Sequence, residues 1–156
     1  MHRIALLFVV VLVACQYDPF VHEFTTERPS ATDLLGAYVL DDESVHMLRD
    51  AHVTIPTSSF IIRPDGTFTL SRVPSCWRAA YTCSSATEEV SGKWRLGKHQ
   101  DWWSLQLTCT NIDGQSTEYG NVAMIRGDEP PYKLHFTVGD PDTGEALAFT
   151  KVRSAS

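Results

Sequence analysis

No apolar run in this chain is long enough to cross a bilayer as a helix. The longest, residues 4–14, would reach about 16 Å at 1.5 Å per residue against a hydrocarbon core of roughly 30 Å. Positive charge is scarce as well: 13 Lys and Arg stand against 19 Asp and Glu, a net charge of −6. That balance argues against a nucleic-acid partner or a surface built to hold anionic lipid. Catalytic signatures are missing too. There is no Gly-x-Ser-x-Gly turn, no His-Glu-x-x-His and no phosphate-cradling glycine loop ahead of a helix. The six histidines are scattered, His46 and His52 standing six apart, and no second Cys or His pair has zinc-ligand spacing. A turn with Asp140, Asp142 and Glu145 invites calcium. However, Gly144 stands where an EF-hand loop needs its third side-chain ligand, and Lys151 where it needs a bidentate Glu. The reading is a chain without cofactor or metal and without catalytic residues, an enzyme with a dispersed site being the remaining catalytic alternative.

What the chain does have begins at its start. Arg3 precedes the eleven apolar residues, which stop at Leu12-Val13-Ala14-Cys15. A short basic region, an apolar stretch of this length and a small residue at its boundary make an export signal. Ordinary signal cleavage nearby, or a buried first strand, are the alternatives. Leu12-Val13-Ala14-Cys15 resembles the lipobox of bacterial lipoproteins. The resemblance implies removal of residues 1–14, acylation of Cys15, and display in the cell envelope facing the periplasm or the exterior. Gln16 takes the position where Asp favours inner-membrane retention in such lipoproteins, which tilts the expectation to the outer membrane. Loss of Arg3 with the leader takes the net charge to −7, so membrane attachment would rest on lipid chains and not on a basic patch.

Three further cysteines remain, Cys76, Cys83 and Cys109, and an exported chain permits disulfides. Three thiols leave one over. The short polar loop between Cys76 and Cys83 makes that closure the favoured one on chain-entropy grounds, although spacing alone does not settle connectivity. Cys109 falls on an inward strand position, where a free thiol acts as a small apolar group.

Residues 15–32 carry Pro, Thr, Ser and Glu with two isolated phenylalanines and no period, which reads as a lipidated N-terminus and flexible tether. The folded domain is expected over residues 33–153. A strand at Gly36-Ala37-Tyr38-Val39-Leu40 leads to Asp41-Asp42-Glu43-Ser44, N-cap chemistry for a short helix with Val45, Leu48 and Ala51 on its apolar face. Residues 58–73 form a hairpin around Pro64-Asp65-Gly66. A three-residue loop with Gly66 left-handed pairs Ile62 with Phe68 and Phe60 with Leu70, placing all four on one face. Val90, Gly92, Trp94 and Leu96 alternate with polar residues, as do Trp103, Leu105, Leu107 and Cys109. Pairing Leu96 with Trp103 and Trp94 with Leu105 aligns these inward sets. Residues 119–125 are apolar on both faces. Tyr132, Leu134, Phe136 and Val138 alternate again, and a last strand puts Leu147 opposite Phe136 and Phe149 opposite Leu134.

About eight short strands joined by turns, with one short helix, predict an all-β, antiparallel up-and-down barrel or meander, a two-sheet β-sandwich being the alternative. Gly36-Ala37-Tyr38 and Gly92-Lys93-Trp94 resemble the Gly-x-Trp of lipocalin-like, calycin-like barrels. That resemblance implies a small barrel over the folded region and admits a small apolar ligand inside it. Against an interior ligand, the inward positions are rich enough in Phe, Trp, Leu and Ile to fill a barrel of this size. Trp102 falls on outward parity beside His99 and Gln100, a candidate binding surface for a sugar or a protein partner. Arg126-Gly127-Asp128 spells an adhesion tripeptide but reads as a turn. The function expected is a membrane-anchored, non-enzymatic binding or interaction module. An inhibitor of an exported enzyme, an envelope-assembly component and an apolar-ligand carrier are the alternatives.

Overall fold

A computed structural model describes residues 18–54, 56–78 and 82–153. The leader and Cys15 lie outside the described residues. A short α1 (Ala31–Leu34) precedes β1 (Gly36–Leu40), α2 (Asp42–Asp50), β2 (Ser59–Ile62), β3 (Thr67–Pro74), β4 (Thr87–His99), β5 (Trp102–Ile112), β6 (Gln115–Arg126), β7 (Lys133–Thr137) and β8 (Ala146–Lys151). Each strand pairs antiparallel with the next, and β8 returns to β1 to close the barrel. This is the all-β up-and-down barrel, closed and therefore not a sandwich. No helix among the described residues is long and apolar enough to cross a membrane.

The β2–β3 hairpin has the register that the alternation dictates: Ile62 faces Phe68 and Phe60 faces Leu70. Arg63 N–H donates to Thr67 O at 3.0 Å and Gly66 sits at φ 81°, the left-handed conformation glycine adopts without steric cost. The pairs Leu134 with Phe149 and Phe136 with Leu147 also form. The β4–β5 register differs from the sequence reading by two residues. Leu96 faces Leu105 and Trp94 faces Leu107, because the strands run to their tips and only Gln100 and Asp101 turn the chain, while Val90, beyond a bulge, faces Ile112, three residues from the Cys109 expected by the alternation. A slip of two preserves the buried face, so parity holds while the partners change. An extra residue on β5 near Thr110 breaks the ladder opposite Ser91 and Gly92. There a Cβ on Gly92 would lie 2.1 Å from the Thr108 carbonyl oxygen, so only glycine fits.

α2 is capped by Asp41, whose carboxylate accepts from the Ser44 backbone N–H at 3.0 Å and from the Ser44 hydroxyl at 2.8 Å. Its buried face is Ser44 and Leu48, with Met47 half-buried. The face expected through Val45 and Ala51 points to solvent, since Val45 is 39% exposed. Burial opposes ionisation of Asp41, yet bonds from Lys133 and Ser44 outweigh it and hold the carboxyl below its ordinary range. Lys133 Nζ lies 2.9 Å from Asp41 Oδ2 and ties the helix start to β7.

The barrel interior is filled by its own rings. Phe60 meets Phe68 at 5.7 Å, Phe149 at 5.9 Å and Phe136 at 6.0 Å between centroids. Trp77, on a 3-10 turn over Ser75–Arg78 after β3, packs edge-on to Phe136 at 6.1 Å. Such pairs add roughly 1 kcal/mol each beyond area burial. Cys76, within this turn, is joined to Cys83 beyond it in a disulfide. Cys109 is fully buried and has no disulfide partner among the described residues, and burial pushes its thiol up to about 11.

The sequence reading departs most from the structure at the expected tether. From residue 18 onward the chain is docked as a strap on the outside of the barrel, not loose as expected through Thr32. Thr25 N–H donates to Ile125 O at 2.9 Å, Trp103 N–H donates to Thr25 O at 2.9 Å and Gly127 N–H donates to Glu23 O at 2.9 Å. A lone antiparallel bridge joins Phe24 to Arg126. The strap thus occupies the edge of β6 where β5 turns away. The two phenylalanines without a period hold it down. Phe20 and Phe24 contact the His135 ring at 4.9 and 5.3 Å, and Phe24 contacts Trp102 at 5.8 Å.

Candidate functional site

β6 and β7 pair only over three residues, from Met124 with His135 to Arg126 with Lys133. Beyond that the two strands are no longer paired, and Trp77 fills the opening from inside, its carbonyl accepting from Asn121 Nδ2 at 2.8 Å. Outside the opening lies a cleft of about 380 Å³, in the size range of small-molecule and side-chain sites. Its walls come from four separate parts of the chain. The strap supplies Asp18, Val21 and Phe24, and the β4–β5 tip supplies His99, Gln100 and Trp102. β6 supplies Asn121, Val122 and Met124, while Phe136, Thr137 and Pro141 close the far side with Trp77 at the base.

All three residues that the sequence pointed to, Trp102, His99 and Gln100, therefore line one cavity. Trp102 is half-buried, and His99 and Gln100 are exposed. Trp102 is neither a free surface indole nor a core residue. Phe24 packs against its ring, and its remaining surface borders the cleft. Missing from the sequence reading were Phe24, Trp77, Asn121 and Phe136. The one available signal was Phe24, an aromatic residue in a stretch that otherwise has no reason to carry one.

Trp77 is held in place by ion-pair chemistry. Its Nε1–H donates to Glu88 Oε2 at 2.7 Å, and Arg78 reaches the same oxygen through Nε at 3.0 Å and Nη2 at 2.8 Å. The Arg78 guanidinium also lies over the Trp77 and Tyr119 rings at 5.7 and 5.6 Å. The base of the cleft is thus fixed before any ligand arrives, which lowers the ordering cost of binding.

Beside the cleft, under the strap, sits the one buried histidine among the described residues. His135 is 1% exposed, roofed by Phe20 and Phe24. Its Nδ1 lies 3.5 Å from Arg126 Nη1, and Nε2 has no hydrogen-bond partner. Burial, and then the adjacent Arg126 charge, push its pKa down to about 3. Arg126 in turn donates through Nε to Glu23 Oε2 at 3.1 Å, and through Nη2 to the same oxygen. Its guanidinium lies 4.2 Å from the Phe20 ring centroid. Arg126 is 7% exposed, so the Arg126-Gly127-Asp128 turn presents no free arginine.

Compared with known proteins, the chain matches no family model, no curated protein and no solved structure. Its class is set by geometry alone: an eight-stranded antiparallel barrel with a filled interior and a strap-walled lateral cleft.

Proposed function

We propose that this chain is an exported lipoprotein. Residues 1–14 are its discarded leader, Cys15 its acylated first residue, and the barrel a non-enzymatic binding module displayed on the cell envelope, at the outer membrane where the cell has two. Recognition runs through the lateral cleft. The observation that carries this reading is the contrast between a barrel interior where Phe60 packs against Phe68 and Phe149 and an open, aromatic-walled volume at the barrel's side, with Phe136 and Trp77 at the boundary between them. A packed interior favours surface recognition over carriage of an apolar ligand inside the barrel. The closed eight-strand order together with Gly92-Lys93-Trp94 supports kinship with calycin-like barrels.

Two measurements test the two halves of this proposal. Metabolic labelling with a fatty acid is expected to mark the native chain and not Cys15→Ser, and label that survives the substitution refutes the anchor. A photo-crosslinking residue replacing Gln100 is expected to capture a partner in living cells, where the same residue at Ser116, exposed near the start of β6, captures none. Equal capture at both positions would remove the cleft from recognition.

A further inference from the structure

The lining of the cleft is one-sided in charge. Among the described residues Asp18 is its single carboxylate, with Oδ1 accepting from the Phe20 N–H at 2.8 Å and Oδ2 left over, and no lysine or arginine contributes to it. Three more carboxylates are chain neighbours of lining residues and exposed: Asp101 beside Gln100 and Trp102, and Asp140 and Asp142 on either side of Pro141. None of these four makes an ion pair among the described residues. The cations that neighbour lining residues have contacts of their own. Arg78 is spent on Glu88 and Arg126 on Glu23. Lys98 lies 5.8 Å over the ring of Trp103, which has the opposite strand parity from Trp102. Asp18 and the indole and phenyl surface of the walls therefore face no lysine or arginine in the lining among the described residues.

We infer that the cleft is a receptor for a cationic side chain, a lysine or arginine presented by a basic protein partner, with Trp102 and Phe24 flanking the alkyl stem and Asp18 meeting the charged end. The inference deepens, and rests on, the reading of the cleft as the recognition surface. Aromatic faces attract a desolvated cation, and a lining carboxylate with no facing cation favours a basic partner over an acidic one. A zwitterionic lipid headgroup fits less well, because its phosphate would find no cation in the lining. A net charge of −6 over the whole chain points to the same partner sign.

The test uses the full mature chain in neutral detergent micelles and follows the Trp102 indole and Asn121 side-chain amide signals by NMR. The probes are acetyl-Gly-Arg-Gly-amide and the same peptide with citrulline, which keeps the shape and removes the charge. The arginine peptide is expected to shift both signals with millimolar affinity, and the citrulline peptide to bind at least about tenfold more weakly. Asp18→Asn should weaken the arginine peptide by about fivefold, the range of a single charge contact. Signals of the β2–β3 hairpin serve as the folding control, and Trp102→Leu should abolish the peptide-induced shift of the Asn121 amide while leaving the hairpin signals in place. Equal binding of the two peptides overturns the inference while leaving the cleft as a recognition surface. A response to phosphatidylethanolamine vesicles or to an N-acetylglucosamine disaccharide, with none to arginine, overturns it in favour of lipid or sugar. If the crosslink from Gln100 also fails, the underlying reading fails with it.

Discussion

Replacing His135 with phenylalanine should flatten the acid side of this protein's stability profile. In the folded chain burial and Arg126 hold the imidazole neutral, with its pKa at about 3, whereas the unfolded value is about 6.5. Between those limits the unfolded chain binds a proton that the folded chain refuses, so stability rises with pH and is lost as pH falls. The loss begins near pH 6.5 and continues toward pH 3 at about 1.4 kcal/mol per pH unit. By pH 4.5 the single histidine should have removed about 3 kcal/mol, a large share of the roughly 5–15 kcal/mol typical of a domain. Around His135 stand Phe20 and Phe24 from the strap, Arg126 with its partner Glu23, and Asp41 with its partner Lys133. Asp41 titrates below its ordinary range, so its contribution is lost only under more acidic conditions. Urea denaturation at pH 7.5, 6.5, 5.5 and 4.5, at constant ionic strength, reads the slope directly. In His135→Phe the ring remains between Phe20 and Phe24 and the slope over this window should fall by one proton. A native profile that is flat from pH 6.5 to 4.5, or a variant that keeps the native slope, would refute the reasoning.

Other positions give separate checks. Gly92→Ala places a methyl 2.1 Å from the Thr108 carbonyl and should cost about 3 kcal/mol in chemical denaturation, and a cost below about 0.5 kcal/mol would mean that the strands part freely there. Reducing the Cys76–Cys83 bridge should cost about 2 kcal/mol by loop entropy, measured as a lower melting temperature with reductant than without. Cys109, whose thiol is pushed up to about 11 by burial, should resist iodoacetamide in the native state and react after denaturation. Phe24→Ala removes a ring that is 6% exposed, worth about 3 kcal/mol in a packed site, and should expose residues 18–30 to protease while the barrel core still shows native hydrogen-exchange protection.

What was legible in the chain followed from local alternation. The β2–β3 hairpin could be registered because a one-residue slip would have moved Phe60, Ile62, Phe68 and Leu70 to solvent, and because Gly66 marked its own turn. The β4–β5 register lacked such a check. A two-residue slip leaves every face unchanged, and Gln100 takes φ 53° at a position where glycine or asparagine would have been the usual signal. Residues 119–125 looked ambiguous because both of their faces are used: Ala123 and Ile125 point inward, while Met124 is buried on the outer face beneath the strap. The strap was invisible for the complementary reason, since Phe20 and Phe24 find Trp102 and His135 only after the barrel has closed. His99, Gln100 and Trp102 could be grouped as near neighbours on one tip. Asp18, Trp77 and Phe136 join them through tertiary closure, which no window along the chain displays.

The docked strap also decides how the molecule would respond to a pull. Tension entering from the N-terminal side does not run along a slack leash to β1. It arrives first at Phe20 and Glu23, held by His135, Arg126 and Gly127, and then at the seam where Thr25 is stitched to both Trp103 and Ile125. Two strands that belong to the middle of the chain therefore share the load with the segment nearest its start. The domain would yield by peeling that stitch before its hydrogen-bonded wall is tested, so residues 18–25 act as its mechanical fuse.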